Sequence, residues 1–218
     1  MKKIIKKIIH PFYKRYHFWY HKKPRKYRYG SVYTIVQPTV FSPIHTVSTK
    51  VFLDYISSLN LKDKKVLELG CGSGIISIFC ASKDAKVTAS DIHEIAVSSI
   101  QNVGLKQGFR INTLISNLFE NIEDQSFNYV LINPPYYPKE PKNLEERAWY
   151  CGKDFDYFKN LFSQLEKRMD TNTLMILSDT SDIKTIKKIS NTYNLELKLL
   201  CSEKIAFEIN YIYKVVKN

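Results

Sequence analysis

Two short stretches of this sequence hold residues whose types and order could do chemistry. The first, Glu68-Leu69-Gly70-Cys71-Gly72-Ser73-Gly74, sets three glycines at alternate positions directly after the apolar run 66–69. Glycine suits a place where a strand turns sharply into a helix and the backbone approaches a ligand with no Cβ between them. A helix is predicted over 75–81 and the next strand over 86–90, so Asp91 falls at that strand's carboxyl end. There a carboxylate can accept from both hydroxyls of a ribose. The unit therefore predicts a nucleoside site, although its glycine spacing does not choose the nucleoside. The second stretch, Asn133-Pro134-Pro135-Tyr136, follows the apolar strand predicted over 127–132. Paired prolines stiffen a loop and carry no N–H, which leaves carbonyls free. The Asn133 side-chain oxygen and the Pro134 carbonyl can each accept one N–H from a planar NH₂ group. Such a group is thereby oriented, and positive charge developing on its nitrogen is favoured. Tyr136 offers a face on which a flat base or amide can lie.

In the first stretch the third glycine comes one residue earlier than in the dinucleotide fingerprint G-x-G-x-x-G. With Glu68 inside the preceding strand, E-L-G-C-G-S-G resembles the first motif of class I S-adenosylmethionine-dependent methyltransferases. The resemblance implies that Glu68 and the loop residues Gly70, Cys71, Gly72 and Gly74 lie beside the methionine part of S-adenosylmethionine. It further implies that Asp91 holds the ribose, with Ile92, Leu118 and Asn133 completing the cofactor site. Where this class often carries an acid against the adenine amino group, the chain has Asn117, whose amide oxygen can accept the same bond. N-P-P-Y, two β/α steps after Asp91, resembles the methyltransferases of adenine N6 and of glutamine amides. It differs from the N-P-P-F form associated with guanine in ribosomal RNA. Downstream, Ala148-Trp149-Tyr150-Cys151-Gly152-Lys153-Asp154 reads A-W-x-x-G-K-D, which resembles HemK-type glutamine methyltransferases, especially the short form. That form works with a small partner protein. The implied reaction is direct transfer of a methyl group to nitrogen, with Asn133, Pro134, Pro135 and Tyr136 as the catalytic set and no metal. Protein glutamine in a translation factor or ribosomal protein stands first as acceptor, and adenine in RNA second. A module that binds cofactor or RNA without turnover is the non-catalytic alternative; the intact N-P-P-Y argues against it.

The elements needed to position these groups are legible from hydrophobic periodicity. Strands are predicted over 32–36, 111–115, 173–177, 195–201 and 205–216, and helices over 44–59, 94–106, 155–168 and 182–192. Thr46 or Ser48 could cap or line the first of these helices. Strands alternating with amphipathic helices predict a doubly wound α/β domain with the ligand at the strands' carboxyl ends. The family resemblance adds the form of the sheet: Rossmann-like, seven-stranded and mostly parallel, with an antiparallel last strand and helices on both faces.

The 218-residue chain carries a formal charge of +12, and residues 1–30 hold 11 Lys and Arg with no acid. This divides the chain into a basic aromatic arm, 1–30, and a nearly neutral catalytic domain, 31–218. Cations interleaved with Tyr, Phe and Trp suit RNA or a ribosomal surface. They equally suit an anionic membrane surface, or a helix packed on the body. Four scattered cysteines without a CxxC pair predict free thiols, and no apolar run approaches a membrane span. A cytoplasmic protein is expected.

Overall fold

The computed structural model describes residues 22–123, 126–168 and 171–218. An antiparallel hairpin of β1 (Arg25–Tyr29) and β2 (Val32–Val36) leads through a short 3-10 turn, Pro43–His45, into α1 (Ser48–Ile56). There follow β3 (Lys65–Leu69), α2 (Ile75–Ala81), β4 (Lys86–Asp91), α3 (Glu94–Lys106), β5 (Ile111–Ile115) and β6 (Tyr129–Ile132). The chain ends with α4 (Asp156–Leu165), β7 (Asn172–Ser178), α5 (Ile183–Thr192), β8 (Leu195–Ile205) and β9 (Glu208–Lys217). Among the described residues the main sheet has seven strands in the order β5-β4-β3-β6-β7-β9-β8. Only β9 runs against its neighbours. Successive strands leave β3 in opposite directions, β4 to one side and β6 to the other. The crevice between them is where an open α/β sheet binds ligands.

Alternate residues of the central strands feed two separate cores. Val66, Leu131, Leu174 and Ile176 join α1, α2 and α3 on one face. Leu67, Leu69, Ile132, Met175 and Leu177 meet Phe158, Leu161 and Phe162 of α4 on the other. Strands buried on both faces read as continuous apolar runs, which is why 66–69 and 127–132 lack alternation. Among the described residues no helix is long and apolar enough to cross a membrane. All four cysteines are free, and three are buried.

Besides shifted strand ends (β6 begins at Tyr129, β8 runs on to Ile205 and β9 begins at Glu208), three stretches differ from the sequence-based expectation. The helix predicted over 44–59 breaks in two because Thr46 is extended (φ −121°, ψ 143°), so α1 starts at Ser48. The helix predicted over 155–168 tightens into a 3-10 turn at Glu166–Arg168. Residues 25–29, assigned from sequence to the arm, form β1 and pair with β2. Their period-2 pattern was masked because the inward positions are Arg25, Tyr27 and Tyr29 rather than aliphatic residues. The rest of the predicted arm, residues 1–21, lies outside the described residues.

Gly74 illustrates how tightly the first βα turn is built. It precedes α2 at φ +72°, and a Cβ there would collide with the Ile100 side chain of α3. Gly74→Ala is expected to cost about 2–4 kcal/mol, combining the left-handed backbone with an overpacked contact. Urea unfolding checks this; a loss below about 0.5 kcal/mol would contradict the packing role.

Candidate active site

The glycine loop turns on a bifurcated anchor: the Gly70 and Cys71 N–H groups both donate to the Ser90 carbonyl, each at 2.9 Å. Two residues on, Gly72 N–H donates to Asp91 Oδ2 at 2.8 Å, and the His93 N–H donates to Asp91 Oδ1 at 2.9 Å. Each carboxylate oxygen thus takes one backbone donor and keeps a lone pair for a hydroxyl. Burial raises the Asp91 pKa, and these backbone bonds oppose that rise. Gly72 also has no room to spare, since a Cβ would come within 3.3 Å of Phe41 Cβ.

Glu68 is buried on β3, and burial pushes its carboxyl up to about 8 against the opposing bonds from Ser77. The Ser77 N–H donates to Glu68 Oε2 at 2.8 Å, and the Ser77 hydroxyl donates to the same oxygen. Gly74 has no side chain to cap α2, so the strand acid satisfies one of the helix's otherwise unpaired N–H groups. Glu68 therefore ties loop to helix while facing the cavity.

After β5, the Ser116 hydroxyl donates to the Leu118 carbonyl (2.8 Å) and accepts from the Asn121 N–H (3.0 Å). This turn holds Leu118 at φ +52° and presents Asn117 at the rim. Asn117 Nδ2 donates to Glu120 Oε1 at 2.7 Å, which turns its carbonyl oxygen to the acceptor role.

Asn133 emerges from β6 with its Nδ2 donating to Thr49 Oγ1 of α1 at 3.4 Å. The amide's donor end is thereby directed at Thr49, and its carbonyl oxygen is the end left for a ligand. Pro134 is buried, and the half-buried Tyr136 stands edge-on to Tyr137 with centroids 4.9 Å apart. Burial, then Tyr137 and Glu208, push the Tyr136 phenol well up, so it is neutral. Beyond N-P-P-Y the chain loops out and returns. Tyr137 N–H donates to the Trp149 carbonyl (3.1 Å), and Cys151 N–H donates to the Tyr137 carbonyl (3.0 Å). Trp149 meets Phe41 with centroids 5.1 Å apart, so two distant loops touch beside the site.

One cavity of ≈ 350 Å³ joins these groups. Its wall includes Glu68, Gly70, Cys71, Gly72, Asp91, Ile92, Asn117, Leu118, Asn133, Pro134, Pro135 and Tyr136. Gly74 alone of the residues expected there from sequence is absent from that wall; it packs on Ile100 instead. Phe41, Thr49, Trp149 and Tyr157 also line the cavity and were not expected there from sequence. Trp149 belongs to the recognised A-W-x-x-G-K-D run, and Thr49 sits one residue beyond Ser48 on the inward face of α1. Phe41 carried no signal.

A βαβ glycine turn, a carboxylate at the end of the next strand and an N-P-P-Y loop share one cavity, the arrangement of a class I S-adenosylmethionine-dependent methyltransferase. The methyltransferase small domain model matches residues 32–148, and the chain belongs to that family. A Methanocaldococcus jannaschii protein provisionally named a protein N5-glutamine methyltransferase is 31% identical over 159 residues, covering 69% of this chain and 80% of its own. The ribosomal RNA small subunit methyltransferase C of Mannheimia succiniciproducens is 32% identical over 130 residues, and the match spans 58% of this chain but only 38% of that enzyme. The E. cuniculi Mtq2–Trm112 complex, responsible for methylating the eRF1 translation termination factor, shares the fold at TM-score 0.62 and 20% identity. That match covers 83% of this chain and 99% of the neighbour.

Proposed function

We propose that the protein methylates the side-chain amide of a glutamine in a translation factor or ribosomal protein. The observation that carries this is the Asn133 amide, whose donor end is directed at Thr49 so that its oxygen is left to accept; the carbonyl of Pro134, the next residue on the same cavity wall, is the second acceptor of the reading. Two acceptors in a row, with no donor from either proline, select an NH₂ group over a hydroxyl or carbonyl. A-W-x-x-G-K-D after N-P-P-Y, and the name of the Methanocaldococcus jannaschii relative, support glutamine within that chemistry.

The cavity fits S-adenosylmethionine by volume and by donor set: Asp91 keeps acceptor capacity for two hydroxyls, and Asn117 offers an amide oxygen at the rim. Glu68, Gly70, Cys71, Gly72, Ile92 and Leu118 would complete the binding surface. When bound, the group supplies an electrophilic methyl on a sulfonium. The chain's own part is to hold and aim the acceptor nitrogen. Asn133 and Pro134 accept its two N–H groups, Tyr136 lies against its plane, and Phe41 with Trp149 limits water beside it. Electrostatic stabilisation by oriented dipoles needs no proton transfer before the methyl moves; the nitrogen–carbon bond forms as the carbon–sulfur bond breaks to leave a neutral thioether, and the nitrogen then gives up one of its two protons to solvent.

Radiolabelled methyl transfer from S-adenosylmethionine into a lysate of source cells lacking the gene tests the assignment. Label should survive ribonuclease, be lost to protease and appear as methylglutamine by mass spectrometry. Protease-resistant, ribonuclease-sensitive label would turn the assignment to RNA, and N6-methyladenine in the digest would make it the second reading, adenine in ribosomal or transfer RNA; the ribosomal RNA relative supports RNA as an acceptor without naming that base. The partnered assembly of the E. cuniculi neighbour makes a small activating protein the first addition if transfer is slow.

A further inference from the structure

The β1–β2 hairpin takes no part in the cavity, yet it is firmly built. Gln107 of the segment after α3 clasps the backbone of Tyr33 at both ends, accepting from its N–H at 3.0 Å and donating to its carbonyl at 2.8 Å. Thr34 Oγ1 donates to the Ser73 carbonyl at 2.5 Å, and Ser99 Oγ donates to the Ile35 carbonyl at 3.2 Å. Tyr29 packs on Phe79 of α2 with centroids 5.2 Å apart and donates its hydroxyl to Asp54 at 2.7 Å. This inner face accounts for Tyr27, Tyr29, Val32, Thr34 and Val36.

The outer face is different in kind. The register sets Lys26 opposite Ile35 and Arg28 opposite Tyr33. Lys26 and Arg28 are exposed, about 7 Å apart on alternate residues of one strand. Lys26 Nζ lies 3.8 Å from the centroid of the Tyr33 ring, and Arg28 Cζ lies 5.8 Å from it. The ring holds two cations side by side that would otherwise repel. Lys106, next to the clasping Gln107, and Arg110 add exposed positive charge at the same end of α3. Among the described residues no ion pair takes in Lys26, Arg28, Lys106 or Arg110, and Asp54, which the hairpin reaches through Tyr29, already pairs with Lys50 at 2.5 Å. No large apolar side chain of the hairpin is exposed, so this face lacks the wedge that membrane insertion needs.

We infer that the outer face of the β1–β2 hairpin docks the phosphate backbone of a structured RNA. A rigid ribbon of spaced cations suits a regular row of phosphates, and such contacts position a protein without reading sequence. The surface also leads to the cavity, because the chain passes from Val36 to Thr39 and Phe41, which line it. RNA held there would deliver neighbouring protein or base to the site. The inference goes beyond the methyl-transfer reading and stands whichever acceptor is correct.

The test is binding of a labelled duplex RNA by the full-length chain and by Lys26→Glu/Arg28→Glu, across a salt series. The variant should bind about tenfold more weakly, with a salt slope shallower by about two, one for each lost phosphate contact. Its affinity for S-adenosylmethionine should stay at the wild-type value, which also reports that it folds. The neutral pair Lys26→Gln/Arg28→Gln should fall between the two. Wild-type RNA affinity and slope in the charge-reversed variant would overturn the inference. Loss of binding to phosphatidylserine vesicles, with RNA binding unmoved, would overturn it in favour of a membrane surface.

Discussion

Asn133→Ala is expected to lower methyl transfer by about 10²–10³-fold while leaving S-adenosylmethionine affinity within about threefold of wild type. In the proposed mechanism the side chain supplies one of the two acceptors for the NH₂ group, so its removal would leave that group free to rotate and its growing positive charge unopposed. The loss should fall on kcat, since the interaction strengthens as charge develops rather than on initial binding. Thr49→Val should act through Asn133 and not by itself. Without the Thr49 hydroxyl at 3.4 Å the amide can turn its NH₂ inward, so a smaller loss in kcat is expected with unchanged cofactor affinity. Steady-state kinetics alongside calorimetry separates these terms. Full activity in Asn133→Ala with the true acceptor would remove this residue from the mechanism.

Asp91→Ala carries the second large effect, on binding. In the proposed ribose role Asp91 would make two charge-assisted hydrogen bonds worth about 3 kcal/mol together, so the dissociation constant should rise about 100-fold. The same substitution strips the Gly72 and His93 N–H groups of their acceptor. A loss of stability of about 1–3 kcal/mol should therefore accompany the weaker binding. Asp91→Asn keeps one acceptor oxygen and should lie between. Burial raises the Asp91 pKa, and only the ionised carboxylate can accept at both oxygens. Affinity should accordingly decline on acidification before an exposed aspartate would titrate. An unchanged dissociation constant in calorimetry would count against the ribose role.

Much of this site could be read from the chain because its parts are local. A strand followed by glycines at alternate positions, an apolar helix and a terminal acid is a pattern within 27 residues, and N-P-P-Y is four adjacent ones. Backbone rules act between neighbours: glycine where φ is positive, proline where no N–H is wanted, period 2 or 3.6 where one face is buried. The helices 75–81 and 94–106 and the strand 111–115 were legible to the residue for that reason. Gly74 shows the limit. Its residue type announced a left-handed turn, but whether the missing Cβ makes way for ligand or for Ile100 depends on a helix more than 20 residues away.

What the tertiary structure decided are the relations between distant side chains. Thr49 directs Asn133 across 84 positions, and Phe41 meets Trp149 only because the loop after N-P-P-Y folds back along Tyr137. Glu68 stood out as a strand acid, but its bonds to Ser77 came from the way α2 lies against β3. Arg25–Tyr29 read as part of a charged arm until Tyr27 and Tyr29 found α1 and α2 to bury against. A side chain's type and its neighbours determine the backbone it prefers and the chemistry it can do. Which group it does that chemistry with is set by packing between elements, and no local period records it.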